Sequence, residues 1–228
     1  KISNNIKEAI YKKGHLLSSV SNARLFDEFC KIFLNGMAEK NFNKLVSFGL
    51  NKYLVSTNLN GCEFSNQLII EALRNTDNRI KNNQSVTPGF LIAALLWPQL
   101  IKKSLKGNEI NLKKFFRSMD SILRNQQKIT AIPRKFHTYI KDIWVLQLKL
   151  HSRIGRQPYK TLKHPRFRAA YDFLLVREKA AAKTKDLGLW WTKFQKNNED
   201  LKKKLINDLK KNNLEESSKI FGFSKELR

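Results

Sequence analysis

The residues best suited to ligand binding lie in the segment KHPRFRAAYDFLL, at positions 163–175. Apolar residues recur there at three- and four-residue spacing, which predicts a helix with one buried face made by Phe167, Ala170, Tyr171, Leu174 and Leu175. Pro165 suits the first position of that helix, so the cations Lys163, Arg166 and Arg168 are expected around its N-terminus.

The free N–H groups and the dipole at a helix start already favour anions. Cations gathered at such a start are locally unfavourable, and a bound anion would relieve the conflict. We therefore interpret Lys163, Arg166 and Arg168 as a phosphate site. The alternative is that Arg168 pairs with Asp172 one turn later and that Arg166 only packs.

Two further basic clusters flank a predicted helix over residues 139–151. Arg134 and Lys135 precede it, and Arg153 and Arg156 follow it. A helix of that length spans about 20 Å, so both clusters could line one wall of a groove; the alternative is a solvated surface. Trp144 is expected in the core, and one of the adjacent pair Trp190 and Trp191 at its edge.

The charge of the chain points to a polyanionic partner. Its 228 residues include 44 Lys and Arg against 19 Asp and Glu, giving a net charge of +25. Part of this excess reflects the abundance of Lys and Asn, which suggests an AT-rich coding bias. That bias does not favour arginine, yet residues 131–168 hold 5 of the 12 arginines, with ten basic residues and one acidic residue. This segment is the strongest sign of nucleic-acid binding.

Several kinds of chemistry lack their motifs in this sequence. It has no phosphate-binding glycine loop, no CxxC or HExxH pattern, and no two acids spaced i, i+2. His137, His151 and His164 lie in or near the basic segment without accompanying cysteines or carboxylates, so no metal is expected. Two cysteines predict no disulfide framework, and no apolar run reaches the length of a membrane span. The chain alone is typical of a binding module.

The periodicity that must position these residues is helical, which predicts an all-α chain of about eight to ten helices. Residues 90–105 are apolar on nearly every side and predict a buried central helix that Pro98 kinks or ends early. Residues 112–127 predict a basic amphipathic helix. Residues 187–214 predict one long polar helix.

Five separate stretches resemble the bacterial poly(A) polymerase I family, within the class II nucleotidyltransferase superfamily that also contains the CCA-adding enzymes. They are ARLFDEFCKIFLNG at 23–36, FLIAALLWP at 90–98, IPRKFHTYIKDIWVLQLKL at 132–150, LKHPRFRAAYDFLLVR at 162–177 and WWTKFQ at 190–195. The resemblance implies an all-α multi-helix neck and body followed by a basic C-terminal helical region. It implies neck helices over 1–57, a body over 58–130, an arginine-rich RNA-binding region over 131–195 and a polar, Lys-rich tail over 196–228.

The resemblance also implies what is missing. The family's catalytic head carries a Gly-Ser element and an Asp-x-Asp pair that holds Mg²⁺, and its neck carries Glu-Asp-x-x-Arg; none of these occurs here. We therefore expect an RNA-binding portion of a cytoplasmic enzyme that uses ATP and Mg²⁺ to add AMP to RNA 3′ ends. The catalytic head is expected to be absent from this chain, which alone would be inactive and hold no cofactor. No catalytic residue is assigned.

Three other interpretations stay open at this point. The same segments could belong to a CCA-adding tRNA nucleotidyltransferase, which tRNA with an unfilled acceptor end would reveal. The chain could be a stand-alone RNA-binding protein without a head. It could also dock on membranes or proteins through basic amphipathic helices, although its apolar faces are typical of a core.

Overall fold

A computed structural model of the chain describes residues 3–56, 63–107, 109–180, 182, 184 and 186–211. The described residues confirm the all-α class and form eleven α-helices. These are α1 Asn4–Lys13, α2 Asn22–Phe33, α3 Ala38–Ser47, α4 Glu63–Lys81, α5 Pro88–Ser104, α6 Leu112–Gln127, α7 Arg134–Leu150, α8 Gln157–Leu162, α9 Phe167–Lys179, α10 Leu187–Lys196 and α11 Glu199–Lys211.

Short elements complete the described part of the chain. Two 3₁₀ helices cover Gly14–Ser19 and Asn51–Tyr53. Strands β1 Leu105–Lys106 and β2 Glu109–Ile110 form a small antiparallel hairpin between α5 and α6.

Helix α5 is the buried centre of the fold, as its apolar sequence predicts. It packs against α4, α6, α7 and α9, and its residues 91–97 are all buried. At its N-terminus the Thr87 hydroxyl accepts a hydrogen bond from the Phe90 N–H at 3.2 Å. The expectation that Pro98 could end this helix early is wrong, because α5 continues to Ser104. Packing on several sides outweighs the cost of a proline inside a helix, about 3 kcal/mol.

Helix α9 lies between two hydrophobic cores and contributes to both. Its Phe173 and Val176 belong to a large core built mainly from α2 to α7. Its opposite side joins a smaller core with the end of α7 and with α10 and α11, through Phe167, Ala170, Tyr171 and Leu174. The predicted buried face is confirmed for these four residues, while Leu175 is half-buried against the same core. Little of α9 is left for solvent, and Arg168 and Asp172 lie on that remaining side.

The end of the described chain corrects two expectations. The single helix predicted over 187–214 is two helices, because Asn198 caps α11 by accepting a hydrogen bond from the Leu201 N–H at 3.0 Å. Trp190 and Trp191 are both buried, since α10 packs on α9 with one side while α11 covers another. Of the predicted tail over 196–228, residues 212–228 lie outside the described residues.

Gly89 allows the first turn of α5 to approach α7 closely. A Cβ atom at this position would lie 2.9 Å from Cδ1 of Tyr139 and 3.1 Å from Cδ1 of Phe136. We expect Gly89→Ala to lower the free energy of unfolding by about 1 kcal/mol, because overpacking costs about 1–3 kcal/mol and outweighs a helix-propensity gain of up to about 1 kcal/mol. Urea unfolding followed by circular dichroism measures the change. A variant stabilised by the full propensity gain would show that the two rings move aside without cost.

Candidate nucleic-acid interface

The turn before α9 positions the cations of the 163–168 segment. Helix α9 begins at Phe167, so the expectation that Pro165 occupies its first position is wrong. The backbone N–H of Arg166 donates to Nδ1 of His164 at 3.1 Å, and the Phe167 N–H donates to the His164 carbonyl at 2.8 Å. These bonds close a separate turn ahead of the helix. Arg166 is consequently the N-cap residue.

The carboxylate of Asp172 joins two arginines from different helices. Arg168 pairs with it from one turn earlier at 3.1 Å, which is the contact that the alternative interpretation predicts. Arg79, near the end of α4, pairs with it at 3.2 Å and also donates to the Ser85 carbonyl. Burial raises the pKa of Asp172, although the charges of Arg168 and Arg79 act in the opposite direction. Arg79 and Asp172 therefore hold α4, α9 and the 82–87 loop together.

Arg166 lies over an aromatic ring. Its guanidinium carbon is 4.9 Å from the centroid of Tyr139, on the first half of α7. This contact agrees with the alternative in which Arg166 packs. The Arg166 side chain nevertheless remains exposed, so the guanidinium edge is open to a ligand.

Arg166 and Arg168 border a groove between α4 and α9, which we call the α4–α9 groove. It consists of two adjoining cavities of about 210 and 260 Å³ that share Asn75, Arg79, Arg168 and Asp172. The smaller cavity extends to Tyr139 and Arg166, and the larger one extends to Lys179. The groove thus carries four cationic side chains, Arg79, Arg166, Arg168 and Lys179, and the single carboxylate of Asp172 among its described lining residues.

The other predicted site residues fall at two ends of α7. Arg134 and Lys135 are exposed in its first turn, and Lys135 lies one turn before Tyr139. Arg153 lies beyond the other end and packs over the Trp190 ring at 5.5 Å, and Arg156 is exposed nearby in sequence. Because α7 has 17 residues, it separates these two pairs by about 25 Å.

Lys163 is exposed in the turn that leads to Arg166. The structure thus brings Arg166 and Arg168 together in the groove. It places Arg134 and Lys135 at the N-terminal end of α7, which also carries Tyr139. Arg153 and Arg156 lie at the opposite end. The residues that sequence reasoning missed are Arg79 and Lys179, which carry no local motif, and Tyr139, which the sequence marks only as the start of a helix.

Metal binding finds no support in the part of the chain that is described. No group of three or more His, Cys, Asp or Glu side chains comes close enough there to hold an ion. Among the same residues, no helix combines the length and the apolar character needed to cross a bilayer.

Comparison with known proteins identifies two matching segments. Residues 108–220 match a family model described as "Polymerase A arginine-rich C-terminus", and residues 1–57 match one described as "Probable RNA and SrmB- binding site of polymerase A". The groove residues Arg166, Arg168 and Asp172 lie in the first of these segments.

Several curated proteins are similar over most of the chain. The protein of Salmonella typhi named Poly(A) polymerase I is 33% identical over 220 residues, which cover 92% of this chain and 47% of that protein. The proteins of the same name from Escherichia coli O157:H7 and Haemophilus influenzae are 34% and 32% identical, covering 92% and 89% of this chain. The chain spans about half the length, 47%, of these relatives.

Proposed function

The chain belongs to the poly(A) polymerase family and carries its RNA-binding and arginine-rich C-terminal regions, and we propose that it holds RNA for an enzyme that adds AMP from ATP to RNA 3′ ends. The observation that carries this proposal is the α4–α9 groove, with four cations around one carboxylate. A groove of this charge suits the phosphates of a single strand.

Arg168 is the cation most easily transferred to a phosphate. Its side chain is 72% exposed, whereas Asp172 is 12% exposed and Arg79 is 27% exposed. An exposed ion pair contributes about 0–1 kcal/mol, so a phosphate can take Arg168 from Asp172 at small cost. Arg79 would stay paired with Asp172 and keep the groove in shape. Arg134, Lys135, Arg153, Arg156 and Lys163 are proposed to extend the contact along the strand.

The chemistry of AMP transfer is assigned to none of the described residues. ATP and Mg²⁺ belong to the proposal for the whole enzyme, whose catalytic head is not among the segments matched here. The described residues bring together no set of carboxylates that could hold Mg²⁺. Their proposed part is to hold the strand so that its 3′ end reaches that head. The cytoplasm is the proposed compartment, because ATP and RNA 3′ ends meet there.

The segments over 1–57, 58–130, 131–195 and 196–228 are proposed as functional divisions and not as separately folded units. The larger core contains buried residues from the first three of them, for example Phe29, Leu95 and Trp144. Removing one segment would therefore expose the core of the others. RNA-binding experiments are best made on the full chain.

Binding of a labelled oligo(A) at several salt concentrations tests the proposed function. If Arg166, Arg168 and Lys179 each meet one phosphate while Arg79 stays paired with Asp172, the groove alone gives a slope of about −2 for the logarithm of the binding constant against the logarithm of salt on a single strand. Fluorescence anisotropy between 50 and 300 mM salt measures this slope. Absence of binding at 50 mM salt, or a slope near zero, would show that the net charge of +25 is compositional.

A further inference from the structure

We propose that the smaller cavity of the α4–α9 groove binds one unstacked nucleobase of a single-stranded RNA. This inference rests on the proposed function, because it adds a base-binding site to a groove proposed to hold phosphates. The cavity lies between α4, the start of α5, α7 and the turn before α9, where Asn75, Thr87, Phe90, Tyr139 and Arg166 line it.

The size of the cavity fits one ring system. Its volume of about 210 Å³ is below the range of about 300–1,000 Å³ that is usual for drug-sized ligands. A single base with part of its sugar suits such a space, whereas a stacked pair of bases does not. Single-stranded RNA is recognised in this way, through individual bases that leave the stack.

Two aromatic rings give the cavity a stacking surface. Phe90 and Tyr139 are both half-buried. Phe90 is fixed edge-to-face against Phe173 at 6.3 Å, and Tyr139 is fixed by the close approach of Gly89. Arg166 continues this surface, since its guanidinium covers the Tyr139 ring. Aromatic rings and arginine planes are the two surfaces on which proteins stack unpaired bases.

The polar groups of the cavity suit a base edge. The Thr87 hydroxyl accepts the Phe90 N–H but donates to no acceptor within the described part of the chain. The buried Oδ1 atom of Asn75 accepts no hydrogen bond from the described residues. The Asn75 side chain lines the cavity, although its Oδ1 atom itself lies beneath the cavity surface. A base offers both donors and acceptors on its edge, and an acceptor of that edge can receive the Thr87 hydroxyl.

The cations at the rim connect the base to its backbone. Arg166 and Arg168 are exposed at the mouth of the same cavity. A nucleotide can therefore place its ring against Phe90 and the Arg166 guanidinium that lies over Tyr139, while its phosphate meets Arg168. A site for phosphate alone would need the cations but neither ring, so dependence on Tyr139 separates the two possibilities.

Oligo(A) and an abasic phosphodiester of the same length and charge provide the test. We expect wild type to bind oligo(A) roughly 5- to 150-fold more tightly, the range that stacking of one base gives. Tyr139→Leu should lose this preference, and Tyr139→Phe should keep it because the ring remains. Phe116→Leu is the matched control, since Phe116 is an aromatic residue of α6 that is 47% exposed outside the cavity. It should bind both ligands as wild type does.

The outcomes separate this inference from the proposed function. Equal affinity of wild type for the two ligands, with a steep salt dependence, would overturn the base site and leave the phosphate groove standing. A Tyr139→Leu variant that still prefers oligo(A) would also overturn it. Failure of both ligands to bind at 50 mM salt would overturn the proposed function, and the base site with it. The first comparison uses wild type alone, so it does not depend on the folding of a variant.

Discussion

Reversing the charges of Arg166 and Arg168 together is expected to lower the affinity for oligo(A) by at least about 25-fold at 0.1 M salt. Each phosphate contact adds about 0.7 to the magnitude of the log–log salt slope on a single strand, so losing two contacts changes the logarithm of the binding constant by about 1.4 at this salt concentration. Glutamates add repulsion to this loss. The slope itself should become shallower by about 1.4. Fluorescence anisotropy of Arg166→Glu/Arg168→Glu against wild type measures both quantities.

The matched control carries the same change of charge at a distance. Lys102 and Lys103 are exposed near the end of α5, whose first turn borders the groove. They lie about 21 Å further along that helix at 1.5 Å per residue. Lys102→Glu/Lys103→Glu should reduce binding far less than the groove variant. Equal losses in the two variants would mean that net charge alone attracts RNA. No loss in the groove variant would move the binding surface away from α9.

Folding of the groove variant is not expected to fail. Arg166 is exposed and Arg168 is 72% exposed, so neither supports a core. The carboxylate of Asp172 keeps Arg79 as a partner when Arg168 is changed. A glutamate at position 168 does face Asp172, however, so Arg166→Gln/Arg168→Gln is a useful second variant. It removes the same two contacts without introducing repulsion. Circular dichroism and urea unfolding should place both variants close to wild type.

Sequence periodicity was sufficient to predict the buried face of α9, because apolar residues at three- and four-residue spacing form a local pattern. Phe167, Ala170, Tyr171 and Leu174 are buried as predicted. The start of the same helix was not predictable from Pro165, since the His164 side chain closes a turn that propensity does not describe. The burial of both Trp190 and Trp191 was not predicted, because it also depends on tertiary contacts. A helix buries two faces only when another helix covers it, and that depends on α11 folding back.

The α4–α9 groove could not be predicted from the sequence. Its chemistry depends on Arg79 meeting Asp172 across 93 residues of sequence. Counting charges identifies residues 131–168 as arginine-rich, but it cannot predict that an arginine on α4 contacts Asp172. The Arg168–Asp172 pair, by contrast, follows from i, i+4 spacing and is present. Contacts between residues one helical turn apart can therefore be predicted from the sequence. The position of α4, which forms the other side of the groove, depends on the tertiary fold.

The interior of the same region contains a buried arginine on α9 that contacts α5 and α7. Arg177 is fully buried, lies 4.9 Å from the Trp97 ring centroid and donates to Oε1 of Gln147 at 3.0 Å. Gln147 in turn donates to the Ala170 carbonyl at 2.9 Å. These contacts tie α5, α7 and α9 together beneath the groove. A second cation close to Arg177 would be costly here, because a buried charge has little water to screen it.

His151, which follows α7, is placed to become that second cation in acid. Its Nε2 atom is buried. Burial, together with the charges of Arg177 and Arg153, lowers the pKa of His151 to about 3. The unfolded chain takes up a proton near pH 6.5, whereas the folded protein resists it until about pH 3. Stability from this residue is therefore fully present above pH 6.5 and is lost progressively as the pH falls towards 3.

At pH 4.5 this loss should reach about 3 kcal/mol, because two pH units below the unfolded pKa correspond to about 1.4 kcal/mol each. Urea unfolding at pH 7 and pH 4.5 measures this loss. Comparison with His151→Gln subtracts the contribution of carboxylates that titrate in the same pH range. That variant should lose about 3 kcal/mol less than wild type between the two pH values, since it has no proton to gain. His15→Gln, which replaces an exposed histidine outside both cores, should follow wild type. If His151→Gln also follows wild type, the imidazole accepts its proton in the folded state without penalty, and the Arg177 network then tolerates a neighbouring positive charge.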